Sequence, residues 1–116
     1  MAAKKKATAK GYDEGLAERI REILDDRPDA TEKKMFGGVC FLIAGKMCCA
    51  VTREAFMVRV GTAAYAEALA RPHARVMDFT GRPSRFAVYV DPPGYRTDAQ
   101  LRAWVARGVA LASSKR

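Results

Sequence analysis

The sequence predicts a small α+β domain in which helices accompany an antiparallel sheet. Amphipathic helical stripes occur near both ends of the 116-residue chain, and short apolar runs separated by glycine lie between them. Strands joined by short turns form antiparallel meanders, whereas strict alternation of strands and helices would indicate a parallel βαβ arrangement. The predicted order is therefore helix, three strands, helix, two strands, helix.

The first helix is predicted from Asp13 to about Asp26. Asp13 is a good N-cap residue, and Pro28 ends the segment. Charged residues separate apolar residues at helical spacing, which indicates a helix that packs by one stripe. The stripe consists of Leu16, Ile20, Ile23 and Leu24.

The three-strand meander is predicted after the first helix. A glycine pair, Gly37-Gly38, breaks or bulges its first strand. A tight hairpin then has either Ala44-Gly45 or Gly45-Lys46 as its loop. The predicted strand segments are, in order, Lys33 to Phe36 continuing as Val39 to Ile43, then Met47 to Thr52, then Ala55 to Val60.

The two arms of this hairpin are apolar on both faces in either register. In an antiparallel sheet with one solvent-exposed face, polar and apolar residues would alternate along each strand. These strands are therefore expected to be covered on both sides. Helices or a second copy of the chain could supply the cover, which makes a homodimer one hypothesis. One face is predicted to hold Cys40, Leu42, Met47, Cys49 and Val51, and the other Val39, Phe41, Ile43, Cys48 and Ala50.

The second half of the chain predicts a short helix, a hairpin and a long helix. Thr62 is expected to cap the short helix, which reaches about Ala70. The long helix begins after a capping box, Thr97-Asp98-Ala99-Gln100, and extends to about Ala112. The hairpin between them is predicted to consist of Arg75 to Thr80 and Ser84 to Val90, around a turn at Gly81-Arg82-Pro83.

The formal net charge of +8 is concentrated at the two ends of the chain. Six of these charges come from lysines and an arginine before Tyr12 and in the last two positions, and the body between them is nearly balanced. We therefore predict a basic flexible tail at residues 1–11 and a folded domain at residues 12–114.

The composition and the hydrophobic pattern exclude several classes of protein. The longest apolar stretch ends at Lys46, well short of the roughly 18 residues that a membrane-spanning helix needs. The basic start of the chain is not followed by the apolar region of a secretory signal. These features, together with three cysteines, predict a cytoplasmic protein without a membrane partner.

No catalytic, cofactor or metal site is predicted. The sequence has no phosphate-binding glycine motif and no cysteine and histidine spacing typical of zinc. The three cysteines, Cys40, Cys48 and Cys49, are expected to pack in the core, with a redox contact between Cys40 and Cys49 as the alternative. His73, the only histidine, is expected in a surface loop. The prediction is a protein that is not an enzyme.

The second hairpin carries the candidate binding surface. Arginine is frequent there and acidic residues are few, and neighbouring aromatic side chains could stack on single-stranded nucleic acid. The alternative is that the arginines only protect an exposed edge strand. The candidate surface residues are Arg75, Arg82, Arg85, Tyr89 and Arg96.

Two motifs in the chain resemble the N-terminal domain of the TfoX/Sxy competence-regulator family. They are Lys34-Met35-Phe36-Gly37-Gly38 and Met77-Asp78-Phe79-Thr80-Gly81-Arg82-Pro83, accompanied by Asp91-Pro92 and a closing helix that bears tryptophan. The resemblance covers about Gly11 to Ala112 and implies a small α+β domain. Full-length members of the family carry a second, helical domain after this one. Because the chain reaches only just beyond the predicted closing helix, a stand-alone first domain is expected.

The resemblance implies a role in transcription, since full-length members promote the expression of competence genes. It supplies no catalytic residues, and the motif residues are interpreted as structural: Met35, Phe36, Gly37, Gly38, Gly81 and Pro83. The expected function is a non-enzymatic domain that binds an unidentified protein partner in transcription regulation and that could act as a homodimer. The alternative is a nucleic-acid-binding module that uses the arginine-rich hairpin.

Overall fold

The computed structural model describes residues 12–35, 37–52, 56–77 and 85–113. The predicted tail at residues 1–11 lies outside this part of the chain, as do Phe36, Gly81, Arg82 and Pro83. The helices and strands are α1 (Glu14–Ile23), β1 (Ala30–Met35), β2 (Gly38–Ile43), β3 (Lys46–Val51), β4 (Phe56–Arg59), α2 (Tyr65–Leu69), β5 (Ala74–Val76), β6 (Ala87–Val90) and α3 (Asp98–Ala112). A 3₁₀ turn at Pro92–Tyr95 precedes α3.

Local capping groups determine where α1 and α3 begin, as predicted. The Asp13 carboxylate accepts a hydrogen bond from the Leu16 amide at 3.0 Å. At α3, the Gln100 amide donates to the Thr97 hydroxyl at 3.1 Å, and the Gln100 side chain accepts from the Thr97 amide at 2.9 Å. These bonds satisfy amides that have no partner inside a helix.

The start of α2 differs from the prediction. Ala64, and not Thr62, is the N-cap residue, and no side chain caps this helix. The Thr62 backbone oxygen instead accepts a hydrogen bond from the Tyr65 amide in a preceding turn. The helix is consequently only five residues long.

In the described part of the chain the sheet has six antiparallel strands, one more than the sequence predicts. The extra strand arises because the chain reverses direction between Met35 and Gly38, which lie opposite each other in β1 and β2. Gly37 has a positive φ of 74° there. A Cβ on Gly38 would lie 2.8 Å from the Thr52 Cα, so no side chain fits at this position. The glycine pair therefore separates two strands and does not bulge one.

The β2–β3 hairpin has Ala44-Gly45 as its loop, with φ angles of 53° and 84°. The register shifts beyond the loop: Leu42 lies opposite Met47, but Phe41 lies opposite Cys49. Cys48 is the extra residue of this β-bulge. The bulge reverses the predicted faces of the rest of β3, because side chains alternate along a strand.

The strand order is β1-β2-β3-β4-β6-β5. Helices α1, α2 and α3 pack on one face of the sheet, where they enclose the main core. The largest fully buried side chains there include Ile20, Phe41, Phe56 and Leu101. A second cluster is buried on the opposite face and contains Cys40, Ala50, Met57, Ala87 and Tyr89. The prediction of an α+β fold is confirmed.

Among the described residues, no helix is both long enough and apolar enough to cross a membrane.

Candidate binding surface and cationic cleft

The predicted arginine surface begins with a cross-strand pair in the second hairpin. Arg75 on β5 lies opposite Tyr89 on β6. The Arg75 Cζ is 4.9 Å from the centre of the Tyr89 ring, and its Nε donates to the Asp91 carboxylate at 2.8 Å. Tyr89 is only 5% exposed. Little of this ring is accessible for the predicted stacking, and the exposed group of the pair is the guanidinium.

The other predicted surface residues do not all join this pair. Arg85 is exposed just before β6, whereas Arg82 lies outside the described residues. Arg96 lies next to α1, where its backbone oxygen accepts a hydrogen bond from Arg19 at 3.1 Å. Since α1 packs on the helical face of the sheet and the Arg75 and Tyr89 pair does not, Arg96 is separated from them.

Two large apolar side chains are exposed at the same end of the β5–β6 ladder. Val76 is 41% exposed and lies opposite Val88, two residues from Phe86, which is 46% exposed. The Arg59 Cζ lies 5.3 Å from the centre of the Phe86 ring. The Arg59 Nε is buried, and no described residue accepts a hydrogen bond from it. We call Arg59, Val76, Arg85 and Phe86 the hairpin-end surface.

The sequence pattern did not indicate that Phe86 is exposed. The alternation of Phe86, Val88 and Val90 with other residues predicts only that the three share one side of a strand. Val88 and Val90 are buried, but the regular strand begins at Ala87 and Phe86 precedes it. The alternation predicts which residues share a face of the strand. It does not predict which residues on that face are buried by the packed helices.

A cleft on the helical side has a volume of about 220 Å³. It lies between the turn that leads into β5, the 3₁₀ turn and α3. Its walls combine two arginines, a histidine and an amide with apolar groups. The lining residues are Arg71, Pro72, His73, Gly94, Gln100, Ala103, Trp104 and Arg107.

A single carboxylate joins the two arginines of the cleft. Arg71 Nε donates to Glu67 at 2.9 Å, and Arg107 Nη2 lies 2.9 Å and 3.1 Å from the two Glu67 oxygens. The hydrogen bond from Arg107 is the main reason that the pKa of Glu67 lies below its ordinary value. The Arg107 Cζ is also 5.3 Å from the centre of the Trp104 ring.

His73 occupies an unusual backbone position at the rim of this cleft. It is exposed, as predicted, and has a positive φ of 70°. Its backbone oxygen accepts a hydrogen bond from the Asp91 amide at 2.9 Å. A Cβ on Gly94 would lie 3.0 Å from the His73 Cβ, so the glycine leaves room for the histidine. Positive φ is uncommon outside glycine, although histidine adopts it more readily than most residues.

The three cysteines are buried. Cys40 belongs to the cluster on one face of the sheet, while Cys48 and Cys49 belong to the main core on the other. Burial raises the pKa of Cys40, and a hydrogen bond with Cys48 followed by burial raises the pKa of Cys49. The register shift at Cys48 thus separates Cys40 from Cys49, and the proposed redox contact between them does not form.

Three residues of the predicted structural motif, Met35, Gly37 and Gly38, belong to the described part of the chain. Gly37 supplies a positive φ and Gly38 a close backbone approach, so these two residues act through the backbone. Met35 ends β1. Within the described parts of the chain, no three histidine, cysteine or acidic side chains are grouped as metal ligands.

Comparison with protein families finds a match to the TfoX N-terminal domain over residues 22–112. This chain belongs to that family. The match begins near the end of α1 and ends at the last residue of α3, so it includes the whole described sheet. No curated protein and no solved structure matches the chain.

Both candidate sites lie within the matched part of this TfoX N-terminal domain. The cleft residues come from the turn before β5, the 3₁₀ turn and α3, and the Glu67 to Arg107 bond joins positions 40 residues apart. Residues so far apart in the chain follow no short-range pattern, so the sequence alone does not predict the cleft. Among the lining residues, His73 stands out in the sequence, as the single histidine.

Proposed function

We propose that this TfoX N-terminal domain is a non-enzymatic binding module that acts in the cytoplasm by holding a protein partner in transcription regulation. The observation that carries this proposal is the hairpin-end surface, where exposed Phe86 lies beneath the Arg59 guanidinium. Aromatic and arginine side chains are enriched at the energetic centres of protein interfaces.

The surface also indicates the chemistry of the partner. The half-buried Arg59 places a positive charge beside the exposed Phe86 ring, and Val76 is exposed nearby. A partner carboxylate would complement this charge, and an apolar partner side chain would cover Phe86 and Val76. We therefore expect a partner segment that combines an acidic residue with an apolar one.

The catalytic alternative has less physical support. The described thiols are buried, and raised pKa values keep Cys40 and Cys49 protonated, whereas thiolates are the nucleophiles of cysteine chemistry. His73 is exposed and has no described side-chain partner that would orient it as a catalytic base.

Affinity capture from native lysate tests the proposal, with and without nuclease. Wild-type protein should retain partners after nuclease treatment, and Phe86→Ser should lose them. Arg102→Ala on α3 is the matched control, because Arg102 is an exposed arginine outside this surface. Thermal unfolding checks that the variants are folded. Loss of every partner on nuclease treatment would favour the nucleic-acid alternative, and Arg75→Ala and Arg85→Ala should then abolish oligonucleotide binding.

The role in transcription and the oligomeric state need separate measurements. Transcript levels in cells complemented with Phe86→Ser should match those of cells that lack the protein, whereas Arg102→Ala should restore the wild-type pattern. Sedimentation tests the homodimer hypothesis, and finding only a 12.7 kDa species at micromolar concentration would reject it.

A further inference from the structure

We propose that the cleft between the turn before β5 and α3 is a binding site for a small carboxylate with a compact apolar body. This site is separate from the hairpin-end surface and does not depend on partner binding. Its arginines, Arg71 and Arg107, converge on one carboxylate, that of Glu67. The geometry needed to hold a carboxylate between two guanidinium groups is thus already present.

The Glu67 carboxylate can be displaced from this position. Its side chain is 57% exposed, and exposed ion pairs contribute little because water solvates both partners. A ligand carboxylate that enters the cleft would replace Glu67 between Arg71 and Arg107. The two arginines against the one glutamate leave the site with an excess positive charge that favours an anion.

The other lining residues of the cleft determine which chemical group can carry the ligand's carboxylate. Pro72, Ala103 and Trp104 supply apolar wall, and Gln100 supplies an amide. A volume of about 220 Å³ admits only a small molecule. An apolar body of a few carbon atoms would contact this wall while its carboxylate faces the arginines.

His73 shows that the rim of the cleft is held in a costly conformation. A left-handed backbone costs a non-glycine residue roughly 1 to 2 kcal/mol, and such strain occurs often at ligand sites. The turn is maintained by the Asp91 amide and by the space that Gly94 leaves beside it. The imidazole is thereby placed at the entrance, where it can donate a further hydrogen bond to the ligand.

Nuclear magnetic resonance on the full chain tests this proposal. Trp104 is the only tryptophan, so its indole N–H gives one resonance that reports on the cleft. Benzoate is the probe, succinate and inorganic phosphate are the comparisons, and sodium chloride keeps the ionic strength constant. Benzoate should shift the resonance saturably with a Kd of about 1 mM, as expected for so small a ligand, and phosphate should bind more weakly.

Four variants separate binding at this site from unspecific attraction. Arg107→Ala should weaken benzoate binding about tenfold, and Arg71→Gln should do so if the first variant does not fold. Glu67→Gln should strengthen binding severalfold, because the competing carboxylate is removed. Arg102→Ala, which leaves the cleft unchanged, should bind as the wild type does.

The expected increase in Glu67→Gln is the decisive result, since a purely structural ion pair gives no reason for it. The proposal is overturned by the absence of saturable benzoate binding, or by phosphate binding more tightly than benzoate. It is also overturned if Arg102→Ala weakens binding as much as the cleft variants, or if Glu67→Gln fails to strengthen it.

Discussion

Gly108 on α3 lies directly against the bulged residue Cys48 of β3. A Cβ on Gly108 would be 2.8 Å from the Cys48 Sγ and 2.9 Å from its carbonyl carbon. The Cys48 thiol also donates to the Val105 backbone oxygen at 3.6 Å, one turn earlier on the same helix. The bulge and the missing side chain together allow α3 to approach the sheet closely.

We expect Gly108→Ala to lower the free energy of unfolding by about 1 to 3 kcal/mol. The added methyl group would overlap backbone atoms of Cys48, which cannot rotate away, and α3 would have to move outward. Urea denaturation measures the effect. Gly15→Ala on α1 is the matched control, because its nearest contact would be 3.3 Å away and alanine favours a helix. Equal stability of the two variants would contradict the close approach.

The two predicted capping threonines should respond differently to the same substitution. Thr97→Ala removes the side-chain acceptor of the capping box and should cost about 1 kcal/mol. Thr62→Ala should change the stability by less than about 0.5 kcal/mol, because the structure gives Thr62 no capping role. Thermal unfolding of both variants makes the comparison. A large loss in Thr62→Ala would show that α2 begins where the sequence predicts.

Replacing Ala44 in the β2–β3 loop with a residue that tolerates a left-handed backbone should stabilise the protein. Its φ of 53° is unfavourable for alanine, whereas Asn-Gly is a preferred pair in two-residue hairpin loops. Ala44→Asn should raise the free energy of unfolding by about 0.5 to 1 kcal/mol. The same substitution at exposed Ala106 on α3 should be destabilising, because asparagine is a poor helix former. A decrease at Ala44 would argue against this loop.

The cysteines should react slowly with a thiol reagent while the protein is folded. Burial excludes the reagent, and the raised pKa values of Cys40 and Cys49 reduce the thiolate fraction at neutral pH. Colorimetric titration should detect all three thiols only after denaturant is added. Rapid labelling of the native protein would mean that the β2–β3 hairpin opens readily.

The ion pairs of Glu67 predict a pH dependence of stability. Because the pKa of Glu67 is lowered in the folded protein, its contribution is present above the ordinary glutamate pKa of about 4.3 and is lost as pH falls through the lower folded value. The free energy of unfolding of the wild type should therefore exceed that of Glu67→Gln at pH 7, and the difference should shrink as the pH falls below about 4.3. Glu22→Gln is the control, since Glu22 forms no ion pair with the described residues. A difference that does not shrink at acidic pH would contradict the lowered pKa of Glu67.

Much of the local structure could be predicted because its causes are local. The Asp13 cap, the Thr97 capping box and the stripe on α1 depend on residues three or four positions apart. The candidate sites depend on distant residues. Arg107 meets Glu67 only after α3 packs against the sheet. The exposure of Phe86 depends on where β6 begins and on which residues of the strand the helices bury.

The sequence by itself determined the α+β class, the order of the helices and the position of the β2–β3 loop to within one residue, since periodicity, capping and turn preferences act over a few residues. Only the tertiary structure decided that Gly37 and Gly38 separate two strands, that β6 lies between β4 and β5, and that Cys48 shifts the register. The physical reason is that strand pairing is non-local. Several registers satisfy the same local pattern, and the packing of α3 against the bulge selects one of them.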